Sequence, residues 1–305
     1  MGTRRSRAAA ALAGLCLTAA CSSSAAAPAP SPARSGPVAT IVPASRAAAS
    51  PTRSAPPAVR GPGVSVSRVR TADGSVVTLA TFRGPVQYVL HNGSGDPGPA
   101  AAGLVRAGPA VGGAERRRLL AAFNGGFKLS AGAGGYEQEG HVISPLRAGL
   151  VSLVIDRSGR ARIGVWGHGL PARGEAVHSV LQNLQPLVKD RRPTPAAADW
   201  GLWGATLGGG EYVARSALGQ NASGELIFAA SMSASPDDLA SALVRRGARI
   251  AMELDINPEW VQLDIARRPG GRLTAALPGQ DRPADQYLVG WTRDYITVLA
   301  PGPAG

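Results

Sequence analysis

The sequence predicts an α+β domain, mainly antiparallel sheet with a few packed helices, carried as one domain behind a disordered tether. Three observations predict it. Apolar residues recur mostly at a period of two, glycine closes the turns between paired runs, and the one sharply capped helix is not part of a strict strand–helix alternation. A parallel doubly wound sheet would require that alternation.

The first hairpin alternates through Val64-Ser65-Val66-Ser67-Arg68-Val69-Arg70, turns at Ala72-Asp73-Gly74 and returns from Val76 to Phe82. A second runs from Leu150 to Ile155, turns at Arg157-Ser158-Gly159 and comes back through Ala161 to Trp166. The third joins Ser216 to Gln220 with Glu225 to Ala230 across Ala222-Ser223-Gly224. Such Gly-terminated turns between alternating runs are hairpin signals. A helix is predicted at Ser235-Pro236-Asp237-Asp238-Leu239, where an N-cap serine, a proline at the first helical position and two first-turn acids coincide. Leu239, Leu243 and Val244 form its apolar stripe, and Gly247 ends it. One further helix is expected over Gly113 to Leu120, and Gly134 to His141 is expected to be a solvated loop.

Residues 1–21 read as a lipoprotein-type signal peptide. Arg4, Arg5 and Arg7 are its basic end, Ala8 to Leu17 its apolar run, and Thr18-Ala19-Ala20-Cys21 a small-residue cleavage site whose cysteine takes lipid. The apolar run is too short to span a bilayer. Residues 22–63 hold 12 Ala, 9 Pro and 8 Ser among 42 positions and no acid, too little apolar area to offset the entropy of ordering. As a polyproline-like tether this linker reaches at most about 130 Å. The expected location is the outer face of the cell membrane, held there by the lipid on Cys21.

A net charge of +12 would suggest nucleic acid, but seven arginines and no acids precede Val64. The remainder holds 25 basic and 20 acidic residues, a balance of +5, so no nucleic-acid partner is expected. Both cysteines, Cys16 and Cys21, fall in the export segment, leaving residues 64–300 without a disulfide or thiolate site. The four histidines have no metal-ligand spacing. Gly208-Gly209-Gly210 lacks the Lys-Ser/Thr ending of a phosphate loop, and no Gly-x-Ser-x-Gly elbow occurs, which excludes nucleotide and serine-hydrolase chemistry.

Candidate chemistry gathers in two places. Phe123-Asn124-Gly125-Gly126-Phe127 ends an apolar run at an amide and two glycines, which let backbone approach a ligand. Arg249 to Asp255 alternates so that Ile250, Met252 and Leu254 share one face while Glu253 and Asp255 share the other. Two strand rises place those carboxylates about 6.7 Å apart at Cα, within the range of glycosidase acid and base pairs.

In order, Ala122-Phe123-Asn124-Gly125-Gly126-Phe127, Arg215-Ser216-Ala217-Leu218-Gly219 and Met252-Glu253-Leu254-Asp255 resemble the motifs of the phosphodiester glycosidase family. The resemblance spans most of residues 64–300. It implies a glycosidase acting on sugar-1-phosphodiesters, with Asn124, Gly125 and Gly126 lining the cleft, Arg215 clamping phosphate and Asp255 acting as base or electrostatic partner. Glu253 is the weaker second carboxylate. An arginine fork suits the two free oxygens of a phosphodiester. Where the family has a glycine-rich run after the aspartate, this chain has Ile256-Asn257-Pro258-Glu259-Trp260. Either Asn257 and Trp260 form a different sugar subsite, or the cleft binds carbohydrate without cleaving it. The expected partner is a carbohydrate phosphodiester or cell-envelope glycopolymer, with no redox or nucleotide cofactor and a divalent metal left open.

Overall fold

The computed structural model describes residues 63–205 and 209–302. The signal peptide with Cys21 and residues 22–62 of the expected tether lie outside the described residues. The first strands are β1 (Gly63–Arg70), β2 (Val76–Arg83) and β3 (Gln87–His91), followed by helix α1 (Gly113–Arg118) and β4 (Leu119–Asn124). Next come β5 (Tyr136–Gln138), β6 (His141–Ser144), β7 (Val151–Ile155), β8 (Ala161–Val165), β9 (Ser179–Gln182), β10 (Val188–Lys189) and β11 (Arg192–Pro193). The long hairpin β12 (Val213–Asn221) and β13 (Leu226–Ala234) leads to α2 (Pro236–Arg245) and β14 (Ala248–Glu253). The chain continues through β15 (Leu263–Ala266), β16 (Leu273–Ala275), α3 (Gln286–Val289) and β17 (Tyr295–Leu299).

Among the described residues these strands form three antiparallel sheets, so the α+β, mainly antiparallel class expected from the pattern is the observed one. The seven-stranded sheet has the order β1-β2-β13-β12-β14-β10-β11; the two five-stranded sheets run β16-β15-β4-β17-β3 and β6-β5-β9-β7-β8. All three expected hairpins are present, with Gly74, Gly159 and Gly224 at positive φ in their turns. Ser235 caps α2 in a reciprocal box: its hydroxyl accepts from the Asp238 N–H (3.1 Å), and its own N–H donates to the Asp238 carboxylate (3.2 Å).

Alternation along the strands gives the seven-stranded sheet two buried faces. Ile227, Ala229, Ala217 and Ala251 pack under α2 against Leu239, Ala240 and Leu243. Phe228, Leu218, Met252 and Leu254 face the opposite way into the main core, where Phe123 stacks on Phe82 at 5.4 Å and meets Phe228 at 4.8 Å. Two local expectations are corrected. The helix expected to reach Leu120 stops at Arg118, because Leu119 and Leu120 are fully buried and enter β4. The segment read as a solvated loop contains β5, whose Gln138 is buried and bonded to the Leu90 and Ala107 carbonyls.

Candidate active site

Three strand ends meet at one place. β4 ends at Asn124, β14 delivers Asp255 just beyond Glu253, and Arg293-Asp294 precede β17, which pairs with β4 through Tyr295 opposite Asn124. Backbone bonds lock the junction: the Asp255 N–H donates to the Gly125 carbonyl (3.1 Å), and the Gly125 N–H donates to that of Asp294 (2.8 Å). Asn183, following β9, ties the loop down, accepting from the Phe127 N–H at 3.3 Å and donating to the Glu253 carbonyl at 2.9 Å.

Beside this junction opens a cavity of about 440 Å³, lined by Phe127, Lys128, Leu184, Asp255, Asn257 and Arg293 among others. That volume lies within the range of small-molecule sites. Leu184 adopts φ 58, a left-handed conformation unusual for leucine and a common companion of ligand sites.

Asp255 is the carboxylate of this cavity. Its Oδ1 accepts from the Ile256 N–H (2.8 Å) and the Asn257 N–H (3.1 Å), and its Oδ2 is ion-paired with the Arg293 guanidinium. Burial pushes its pKa up to about 6, against the opposing pull of Arg293 and those two N–H groups. Arg293 also donates from Nη2 to the Gly126 carbonyl at 3.1 Å. Lys128 stands exposed on the rim, close enough for its charge to bear on Asp255.

The sequence-derived residues separate into two groups. Asp255 and Asn257 line the cavity, while Arg215, Glu253 and Asn124 do not. Arg215 and Glu253 are both fully buried and form an ion pair of 2.8 Å on the α2-facing side of the sheet. The remaining donors of Arg215 reach the carbonyls of Ala234, Trp203 and Glu211, so the guanidinium expected to clamp phosphate braces the helix layer. Burial raises the Glu253 pKa and Arg215 opposes the rise. Glu253 ends β14 sealed against Arg215, whereas Asp255 lies past the strand end and reaches the cavity.

Asn124 spends its amide internally. It donates to Ser216 Oγ (2.7 Å) and to the Gly125 carbonyl (3.0 Å), and accepts from the Gln262 N–H (3.2 Å). The glycine pair is explained by a carboxylate of the protein itself: a Cβ on Gly125 would sit 1.9 Å from Asp294 Oδ2, while the Gly126 N–H donates to that oxygen at 2.9 Å. The Arg282 guanidinium lies over the Trp260 ring, and Trp291 meets that ring at a tilt of 55°, close in sequence to the cavity-lining Asn257 and Arg293.

Three residues that motif reading passed over are Arg293, Asp294 and Lys128. The only signal for the first two was a polar pair, Arg293-Asp294, directly before the apolar run Tyr295 to Leu299; for Lys128 it was proximity to the glycine pair. Asp294 is buried with one oxygen unpartnered, and burial raises its pKa to about 8. Among the described residues no group of three or more His, Cys, Asp or Glu side chains is arranged to hold a metal ion.

No protein-family model matches the chain, and no curated protein does. Among solved structures the chain is similar to the catalytic domain of zebrafish N-acetylglucosamine-1-phosphodiester alpha-N-acetylglucosaminidase, auto-inhibited by its pro-peptide. The identity is 12%, over 78% of this chain and 82% of that one, with a TM-score of 0.46. It is also similar to a hypothetical protein from Synechocystis, with 15% identity over 79% of this chain and 62% of that one and a TM-score of 0.47. Likeness at this level says nothing of chemistry.

Proposed function

We propose that the chain is a hydrolase of sugar-1-phosphodiesters, working in the Asp255 cavity. The observation that carries this reading is the Asp255 carboxylate at the cavity wall, oriented by two backbone N–H groups and Arg293, with the Lys128 ammonium on the rim. The order of motifs resembling the phosphodiester glycosidase family supports the substrate class.

In this mechanism Asp255 takes a proton from water as the water oxygen bonds to the anomeric carbon. The C–O bond to phosphate breaks, and its electron pair leaves with the phosphate monoester, whose added negative charge Lys128 meets. A pKa of about 6 leaves Asp255 mostly ionised at neutral pH yet more basic than an ordinary aspartate, as a general base requires. Arg293 holds the carboxylate in place, and the phosphate clamp moves from Arg215 to Lys128.

A second reading, carbohydrate binding without cleavage, is favoured by one observation. Asp255 is the one carboxylate among the described lining residues, and most glycosidases use two. Purified protein offered a panel of sugar-1-phosphodiesters separates the readings. Turnover that rises as pH passes through about 6 and is abolished by Asp255→Asn supports the hydrolase; saturable binding without turnover supports the second reading; neither binding nor turnover refutes both. We propose further that lipid on Cys21 and the linker over 22–63 tether this domain outside the cell membrane. A Cys21→Ala protein that still partitions with membranes would refute that anchor.

A further inference from the structure

Trp291 is 57% exposed, yet its backbone is fixed. Gln286 donates its side-chain amide to the Trp291 carbonyl, the following Thr292 N–H donates to Ser94 Oγ at 3.1 Å, and Gly290 makes the preceding turn at φ 94. Trp260 lies beside it with ring centroids 5.5 Å apart, and the Arg282 guanidinium covers both rings, at 4.4 Å from Trp260 and 4.3 Å from Trp291. Glu259 in turn holds Arg282 at 2.8 Å and balances its charge. The result is a pre-set, nearly neutral aromatic surface, with Val289 exposed alongside. A large ring on a fixed backbone, more than half exposed to water, marks a contact surface.

Its location indicates the occupant. The Trp260 N–H donates to the carbonyl of Asn257, which lines the cavity (2.9 Å), and Trp291 stands two residues before the cavity-lining Arg293. Two residues span at most about 7 Å, so the Trp291 backbone stands close to the cavity-lining Arg293. Neither ring lines the cavity, so a ligand filling only that space does not use them. A sugar ring outside it does, because one face of a pyranose is a patch of C–H groups that lies flat on an indole.

We propose that Trp260, Arg282 and Trp291 form a sugar-stacking platform continuous with the cavity, so that the preferred substrate is an extended glycan joined through phosphodiesters rather than a small sugar phosphodiester. This rests on the hydrolase reading above for the identity of the cleaved bond, and on the aromatic geometry for the rest.

Two probes of one sugar test it on the full chain: the methyl diester of N-acetylglucosamine 1-phosphate, and a tetramer of N-acetylglucosamine joined by 1,6-phosphodiesters. Trp291→Ala is expected to raise KM for the tetramer about tenfold at unchanged kcat, and to move KM for the methyl diester less than twofold. Trp291→Phe is expected to restore most of the loss. The tetramer alone should shift the Trp291 indole N–H resonance in wild-type protein. If neither probe is cleaved, the hydrolase reading fails; tetramer affinity lost in Trp291→Ala would then still support the platform. Equal tetramer affinity in wild type and Trp291→Ala overturns it, as does an equal loss for both probes. Sedimentation showing a wild-type dimer that Trp291→Ala dissociates, with tetramer binding intact, assigns the surface to a second copy and also overturns it.

Discussion

Gly125→Ala tests whether the glycine pair serves the protein's own carboxylate. The added methyl would stand 1.9 Å from Asp294 Oδ2, 2.5 Å from its Cγ and 2.8 Å from its carbonyl oxygen, with no room on a buried side chain to give way. Overpacking costs about 1–3 kcal/mol. Displacing the Asp294 carboxyl also breaks its hydrogen bond from the Gly126 N–H, worth about 1 kcal/mol. Together the loss is about 3 kcal/mol, which for a domain of this size lowers Tm by about 6–12 °C. Gly126→Ala is the control: its Cβ would meet the flexible end of Leu181 at 3.3 Å, and neither glycine lies at positive φ. That variant should stay within about 1 kcal/mol of wild type, the stiffer unfolded chain offsetting the tighter fit. Urea and thermal unfolding of the two variants, with Gly125→Ala/Asp294→Ala completing a double-mutant cycle, measure the coupling. Recovery in the double variant should be partial, because the Asp294 carbonyl is also close. A Gly125→Ala protein melting with wild type, or a Gly126→Ala protein equally damaged, would refute the argument and return the pair to a ligand-approach role.

Arg215→Met should destabilise the fold by about 3–5 kcal/mol, since it strands Glu253 fully buried without its partner; Arg215→Met/Glu253→Leu should regain much of that, read from urea midpoints. Asp264 is buried between the amides of Gln262 and Gln280, and burial raises its pKa to about 8. Its folded form retains a proton that the unfolded chain releases near pH 4, so its stabilising contribution is complete below that pH and is lost as pH rises through about 8. Wild-type stability should therefore fall between about pH 4 and 8, with a shallower fall in Asp264→Asn; parallel slopes would show that Asp264 does not titrate this way.

What the sequence made legible was local. Gly74, Gly159 and Gly224 mark turns because only the few residues on either side decide them, and Ser235 to Asp238 close a cap within one helical turn. Arg215 was legible as a motif residue but not as a structural one. Its direction depends on a helix layer formed by residues 236–245 and on Glu253, 38 positions away. Arg293 carried no motif at all, since its partner Asp255 is likewise 38 residues distant and the two meet only through the packing of β14 against the ends of β4 and β17. For Gly125 the sequence identified the need for a side-chain-free position, but the group that requires it, Asp294, lies nearly 170 residues further on.

Strand β17 runs between β3 and β4 and pairs with both, although it is made about 200 residues later than β3 and about 170 later than β4. A growing polypeptide therefore holds two halves of one sheet apart until its final segment emerges, and Asp255 lacks its guanidinium for just as long. A chain halted before residue 295 would leave unpaired β4 and β3 edges exposed, prone to joining other chains. Completion of the last strand thus couples formation of the Asp255–Arg293 pair to integrity of the whole chain, so a product cut short before Arg293 lacks that pair altogether.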